Sequence, residues 1–451
     1  MKQMTFFVVA FAVTLAAAWS VSAFGAETLT VGAAHEDITP DRPVLMGGYA
    51  ARKAPHEGIR SPIFTRALFV KNDSEQILWT VSDLIGLKPE DTVMLRGKIS
   101  EATGVPADRV VISTTHNHSG PATAPIAAVK DPWYFEGYYI ERLVKAAVRA
   151  VESAEPCTMV VVQGEAALSY DRRNDPPPGE GANLGNPDVS KAVTDKRVPA
   201  VGFKRADGSF KAVLIQYAMH PTSWGDQLIG AEWPGTTAVA INETFGEQTE
   251  PFVLQGAAGN LSSPCRKAPP EEMLRWGRVL VESVADQLKS AEPQSHFNVA
   301  SAVLLAEFDR FDAETIRARA EEFRQLYPGR DDWNERFDRW EADRLAALEN
   351  DTEHYAEALY QAVAFGKHVF VTTPFETFCH LNRFLCDRVS FPVHVIGYTN
   401  GVFDYLPDLG SFQQGGYEPK SYIWYDAFPM KPGDLEKLAD DLVPLLEKAE
   451  E

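Results

Sequence analysis

Val110-Val111-Ile112-Ser113 running into Thr114-Thr115-His116-Asn117-His118-Ser119-Gly120-Pro121 reads as a strand that delivers two histidines to a turn. Its β-branched side chains favour extended backbone, and the Ser-Gly-Pro that follows turns the chain away sharply. The same plan recurs. Val213–Tyr217 runs into Ala218-Met219-His220-Pro221, and Phe252-Val253-Leu254-Gln255 runs into Gly256-Ala257-Ala258-Gly259-Asn260-Leu261-Ser262-Ser263-Pro264. His368–Val371 leads to Thr372-Thr373-Pro374-Phe375-Glu376, and Val393–Tyr398 to Thr399-Asn400-Gly401-Val402-Phe403-Asp404-Tyr405. In sheets with helical connections, sites gather beyond the carboxyl ends of strands. Strand ends carrying His, His, Ser, Glu and Tyr are therefore expected to build one composite site.

Working outward, Arg66–Lys71 with Gln76–Val81 reads as a hairpin turning at Asn72-Asp73-Ser74, and Val201–Lys204 with Phe210–Tyr217 as another at Ala206-Asp207-Gly208. Ile140–Ser153 is helical, with Ile140, Leu143, Val144, Ala147 and Val151 on one face. A second helix opens at Pro269-Pro270-Glu271-Glu272, where proline and acids suit a helix start. The charged block Ala313–Phe365 reads as a helical hairpin broken at Pro328-Gly329-Arg330, and Glu376–Val389 as a further helix. Hairpins mixed with helices predict an α/β (mixed α+β) fold, with central mixed β-sheets flanked by helices in a single large catalytic domain, residues 27–451. The regular βα alternation of a TIM barrel is not visible.

The first 26 residues read as a signal peptide: Lys2, an uncharged run from Met4 to Ala26, and small residues at Val21-Ser22-Ala23 or Phe24-Gly25-Ala26. Export, to the periplasm or beyond the cell, is expected. The 451-residue chain is 45% hydrophobic and 11% aromatic, enough to bury a substantial core. A formal charge of −20 excludes nucleic acid as a partner. The cysteines Cys157, Cys265, Cys379 and Cys386 form no C-x-x-C pair, so a thiolate zinc site is not expected. Asp175–Ser190, with Pro176-Pro177-Pro178-Gly179 inside it, reads as a long functional surface loop.

Taken singly, the candidates are ambiguous. His116 and His118 lie two apart, so an extended segment would point both rings one way, as a metal site or as ordinary histidines. Pro221 holds His220 extended, which suits a ligand or a structural strand end. Glu376 could bind metal or merely open a helix, and Tyr405 could be a packing aromatic. Gly256–Pro264 could let backbone amides approach a substrate, with Ser262 or Ser263 as nucleophile, donor or turn residue. No G-x-S-x-G elbow is present, against a serine hydrolase. Two His, one Glu and one oxygen donor would still make a sensible catalytic zinc shell with a place left for water.

Together the strings resemble the neutral, non-lysosomal ceramidases, zinc amidases that split the N-acyl bond of ceramide. The resemblance starts at Val31-Gly32-Ala33-Ala34-His35-Glu36-Asp37-Ile38-Thr39-Pro40 and Met46-Gly47-Gly48-Tyr49-Ala50. It runs through T-H-N-H-S-G-P, A-M-H-P-T-S, G-A-A-G-N-L-S-S-P and P-F-E-T-F to Gly415-Gly416-Tyr417-Glu418. It implies one Zn2+ per chain on His116, His220, Glu376 and Tyr405, with His118 beside it, and catalytic roles for His118, Ser262 and Arg172. Asn260 stands where the family has Asp, and the extra Ser263 leaves the serine's register open. The chain stops at 451 without the C-terminal immunoglobulin-like domain of longer relatives.

The function so implied is an exported zinc-dependent hydrolase of linear amides, ceramide or a related N-acyl lipid or amine, with transient contact at a membrane surface. Zinc would lower the pKa of a bound water toward ~7 and polarise the amide carbonyl. His118 or Arg172 would stabilise the oxyanion, and His118 would carry a proton to the leaving amine. The alternatives are a zinc esterase or lactonase on the same site, and a non-catalytic exported binding protein with structural zinc.

Overall fold

The computed structural model describes residues 28–49, 52–123, 130–175 and 189–451. Residues 1–27, where a signal peptide is expected, and most of the Asp175–Ser190 loop lie outside the described residues. Two sheets pack face to face, and helices cover the outer face of each. The larger sheet has eight strands in the order Glu250–Gln255, Phe210–Tyr217, Arg197–Lys204, Glu155–Glu165, Leu29–Asp37, Phe64–Lys71, Gln76–Ser82, Val110–Thr114. Both edge strands run parallel to their neighbours and the interior pairs are antiparallel. Both expected hairpins are present, because each has a polar turn between runs of alternating or apolar residues. The smaller sheet orders Phe297–Glu307, Tyr355–Phe365, His368–Thr372, Val393–Ile396, its last pair parallel.

The layer between the sheets is apolar. Leu68, Trp79, Val111, Phe203, Leu214 and Phe252 of one sheet meet Val299, Val363, Phe370 and Ile396 of the other. Sheets packed on both faces explain why so many strands read as continuous apolar runs. On the far side of the large sheet lie helices Pro89–Thr103 and Ile140–Glu152 over one half and Glu232–Phe245 and Pro270–Ser290 over the other. Helices Ala313–Leu326, Asp331–Glu349 and Asp434–Glu450 belong to the outer core of the small sheet. The mixed fold with flanking helices thus matches the sequence reading. Among the described residues no helix is long and apolar enough to cross a membrane, and the four cysteines are free.

Two element assignments are corrected. The helical hairpin ends at Glu349, and Tyr355–Phe365 is a strand. Its charged start hides an apolar tail that pairs along its full length with Phe297–Glu307. The helix expected over Glu376–Val389 covers only His380–Cys386. Glu376 and Thr377 instead pair in parallel with Tyr405 and Leu406, a long-range contact that overrides local helix propensity.

Candidate metal centre

The parallel strands of both sheets end at one place. Thr114 N donates to Tyr398 O at 3.2 Å, Asn400 N to Ile112 O at 2.7 Å, Gly256 N to Tyr217 O at 2.9 Å and Gly397 N to Gln255 O at 3.1 Å. The Gly256 bond continues the large sheet's edge pair, and the other three stitch the two sheets together at their carboxyl ends, where His116, His220, Glu376 and Tyr405 emerge.

His116 does not sit in extended backbone as its spacing from His118 suggested. Its φ is 58°, in the left-handed region, at a cost of roughly 1–2 kcal/mol for a residue with a Cβ. The flanking backbone fixes it there: Thr115 N bonds Ser82 O and Asn117 N bonds Leu84 O, each at 3.0 Å. The Asn117 amide adds bonds to Asp83 O and Gly230 O at 3.1 and 2.8 Å. Strain held by so many contacts is a mark of functional sites.

The three imidazoles converge. His116 Nε2 lies 3.0 Å from His220 Nε2 and 3.1 Å from His118 Nε2, and Glu376 Oε2 is 3.2 Å from both His116 Nε2 and His220 Nε2. Each ring's Nδ1 faces a backbone carbonyl: Ile85 O at 2.7 Å for His116, Gly48 O at 3.0 Å for His118 and Ala258 O at 2.8 Å for His220. A carbonyl only accepts, so each Nδ1 carries the proton and donates. The three Nε2 lone pairs and a carboxylate oxygen therefore point at one another with no hydrogen between them. That arrangement is repulsive unless a cation sits among the donors, and carbonyl-fixed tautomers are the usual support of a metal-binding histidine. These three histidines are the group among the described residues that could hold a metal.

The electrostatics agree. Burial, then repulsion from His116 and His220, holds His118 well below the usual histidine range. Burial, Arg172 and His116 bring His220 down to about 4. Burial would raise Glu376, but His116 and His220 hold it well below the carboxylate range. Neutral imidazoles beside an ionised carboxylate are the forms that bind metal.

Around this core, Tyr405 Oη lies 3.5 Å from His220 Nε2 and accepts from Arg172 Nη2 at 3.1 Å. Arg172 Nε donates to Glu418 Oε1 at 3.0 Å, and Arg173 bonds the other oxygen of the same carboxylate. Tyr425 Oη donates to Glu376 Oε1, and the Tyr398 ring stacks on His116 with centroids 4.0 Å apart. Tyr398, Tyr425, Arg173 and Glu418 received no role from the sequence. Only the Gly415–Glu418 string hinted at Glu418, and nothing local distinguishes Tyr425 from its aromatic neighbours.

Ser262 is joined to His220 by a parallel bridge, and Ser262 and Ser263 both line a cavity of about 660 Å3 that His118, Arg172, His220 and Tyr405 also line. Ser263 Oγ accepts from Ser223 Oγ at 2.9 Å. In the glycine loop, the amides of Gly256 and Leu261 are spent on the carbonyls of Tyr217 and Ala258. Gly259 N bonds Thr377 O at 2.9 Å, and a Cβ there would lie 2.4 Å from Glu376 O. The glycine lets two loops touch. Gly48 acts likewise: with φ of 91°, a Cβ on it would meet His118 Nδ1 at 2.6 Å.

The comparisons with known proteins bear directly on this centre. The model for "Neutral/alkaline non-lysosomal ceramidase, N-terminal" matches residues 29–264, over half of the chain. The chain belongs to that ceramidase family. Neutral ceramidase A of Dictyostelium discoideum is 26% identical to this ceramidase-family chain over 209 residues, 43% of the chain and 28% of that relative. The chain thus matches under a third of the relative's length. The crystal structure of neutral ceramidase from Pseudomonas aeruginosa superposes with a TM-score of 0.67 at 15% identity, covering 94% of this chain and 75% of that one. A ceramidase complexed with C2 gives 0.67 at 14% identity and the same coverage. The ceramidase fold is therefore shared across nearly the whole chain.

Glu232 stands behind this site. It is buried at φ 47°, and accepts from Ser223 N at 2.8 Å and Ser119 Oγ at 2.9 Å. Burial pushes its carboxyl up to about 8. A raised carboxyl is protonated in both states at low pH. Above the unfolded value near 4.5 the unfolded chain ionises first, so stability falls as pH rises toward about 8. Glu232→Gln keeps the neutral shape, and Ser119 Oγ retains Trp224 O at 3.2 Å as an acceptor. Its melting temperature is expected to decline less than that of the parent between pH 5 and pH 9; parallel declines would refute the assignment.

Proposed function

We propose that the chain is an exported, zinc-dependent amidase that hydrolyses the N-acyl bond of ceramide or a related N-acyl compound. The observation that carries this reading is the convergence of three Nε2 lone pairs and one carboxylate oxygen at the floor of a large cavity. Family membership supplies the amide chemistry, and the Lys2-to-Ala26 segment supports export.

His116, His220 and Glu376 would hold the ion, with Tyr405 and His118 flanking it; imidazole with carboxylate suits zinc. When bound, zinc acidifies a water and polarises a carbonyl. His118, whose Nδ1 is spent on Gly48 O, would accept a proton at Nε2 and pass it to the leaving amine. Arg172, pinned by Glu418 and touching the Tyr405 hydroxyl, holds positive charge where the carbonyl oxygen becomes an anion. Ser262 and Ser263 on the cavity wall orient the acyl group.

Dialysis against a chelator is expected to remove amidase activity, and zinc at one equivalent per chain to restore it. Activity that survives complete metal removal would end this reading.

A further inference from the structure

The cavity above the metal centre has the wrong charge for this protein. The chain carries 63 acidic residues against 43 Lys and Arg. Yet the cavity is lined by Arg60, Arg172, Arg266 and Lys267, with Asp226 the only acid among its described lining residues. Two of these cations are neutralised: Arg60 pairs with Asp226 and lies over the Trp224 ring at 4.2 Å, and Arg172 pairs with Glu418. Arg266 and Lys267 are exposed, and among the described residues neither makes an ion pair. The acids that follow, Glu271 and Glu272, do not line the cavity, and Glu272 is engaged by Arg275 at 2.5 Å.

Their position is built rather than incidental. Lys267 has a left-handed φ of 55°, and its amide is tied to Ser223 O at 2.6 Å, three residues from His220. Arg266 lines the same cavity as Tyr49, His118 and His220. The Tyr49 ring meets His118 edge-on with centroids 5.3 Å apart. A substrate lying over His118 and His220 therefore shares its cavity with the Arg266 guanidinium. Low-dielectric walls of one sign concentrate the field and draw in a counter-charged ligand.

Resting on the amidase reading above, we propose that Arg266 and Lys267 form a subsite for an anionic group on the amine half of the substrate, so that the preferred substrates are N-acyl amino acids rather than uncharged N-acyl lipids. An α-carboxylate is a few bonds from the scissile amide, a short reach from the metal centre to the cavity wall. The acyl chain is left the apolar surface of Trp224, Ala268 and Pro270.

The test compares two substrates that differ only in charge, N-dodecanoylglycine and N-dodecanoylglycinamide, with release of dodecanoate as the readout on the zinc-loaded full chain. Ceramide with the same acyl group is the third arm, and the glycinamide mono-amide of dodecanedioic acid, which carries its carboxylate on the acyl side and releases dodecanedioate, is the fourth. The acid is expected to exceed its amide by about tenfold in kcat/KM at low salt, two exposed cations contributing a few-fold each. That ratio should collapse toward unity in Arg266→Gln/Lys267→Gln. Should the double variant misfold, the parent alone decides: the ratio must also collapse in about 1 M salt, where the screening length is about 3 Å. Hydrolysis of all arms without preference for N-dodecanoylglycine, or a preference for the acyl-side acid, overturns the subsite and leaves the amidase reading standing. Failure to cleave any amide defeats the amidase reading itself, and the subsite with it.

Discussion

Replacing His116 with alanine is expected to abolish metal loading and to lower kcat/KM for amide hydrolysis by a factor on the order of 10^3 or more, since a bound ion stabilises the transition state by several kcal/mol. His116 is chosen because its Nε2 touches every other donor nitrogen: 3.0 Å to His220, 3.1 Å to His118, and 3.2 Å to the Glu376 carboxylate. Removing it leaves His220 and Glu376 with no third donor opposite. The ring also stacks on Tyr398, so a loss could be structural. His116→Asn separates the effects, because asparagine tolerates the left-handed backbone that His116 occupies. It should fold like the parent and still fail to load. Elemental analysis alongside kinetics checks both variants, and a loaded, fully active His116→Asn would refute the metal assignment.

The second large effect is on stability. Glu418 is buried and is the single carboxylate between Arg172 and Arg173, one guanidinium on each oxygen. Arg173 is completed by the carbonyls of Ser411 at 3.0 Å and Gly415 at 2.6 Å. Glu418→Ala leaves two buried cations facing each other without a counter-charge, and breaking a buried pair this way costs about 3–5 kcal/mol. For a domain of this size that is a fall in Tm of about 3–6 °C. Arg172 also donates to Tyr405, so activity should drop further than the fraction unfolded explains. Chemical denaturation measures the first effect and assays at low temperature the second. An unchanged unfolding midpoint would show that the triad is dispensable.

What the sequence made legible was set by locality. Val110–Thr114, Phe210–Tyr217 and Ile140–Glu152 declare themselves through side-chain period and turn chemistry, and each lies where it was expected. The two misassigned segments fail for the same reason. Glu376-Thr377 and Tyr355–Phe365 take their conformation from partners at Tyr405-Leu406 and Phe297–Glu307, which no window around them contains. In the site, the motif-borne residues His116, His118, His220 and Glu376 were found, and their ligating atoms do converge. The groups that hold them were invisible. Tyr425 on Glu376 and the carbonyls of Ile85, Gly48 and Ala258 on the three rings are supplied by chain-distant backbone or by unremarkable aromatics. The left-handed φ of His116 has no signature either, since only the surrounding bonds enforce it.

The centre takes His116 and His220 from the large sheet's strand ends and Glu376 and Tyr405 from the loops that follow the small one. Any ion gripped by both sets spans the seam between two separately wound halves of the molecule. Its affinity then becomes mechanical resistance to their parting: at a free concentration of 100 times its Kd, occupancy adds about 2.7 kcal/mol to the work of unfolding. Scarcity of the ion would thus loosen the whole molecule as well as silence it, making the environment's metal supply a regulator of how long each copy survives proteolysis.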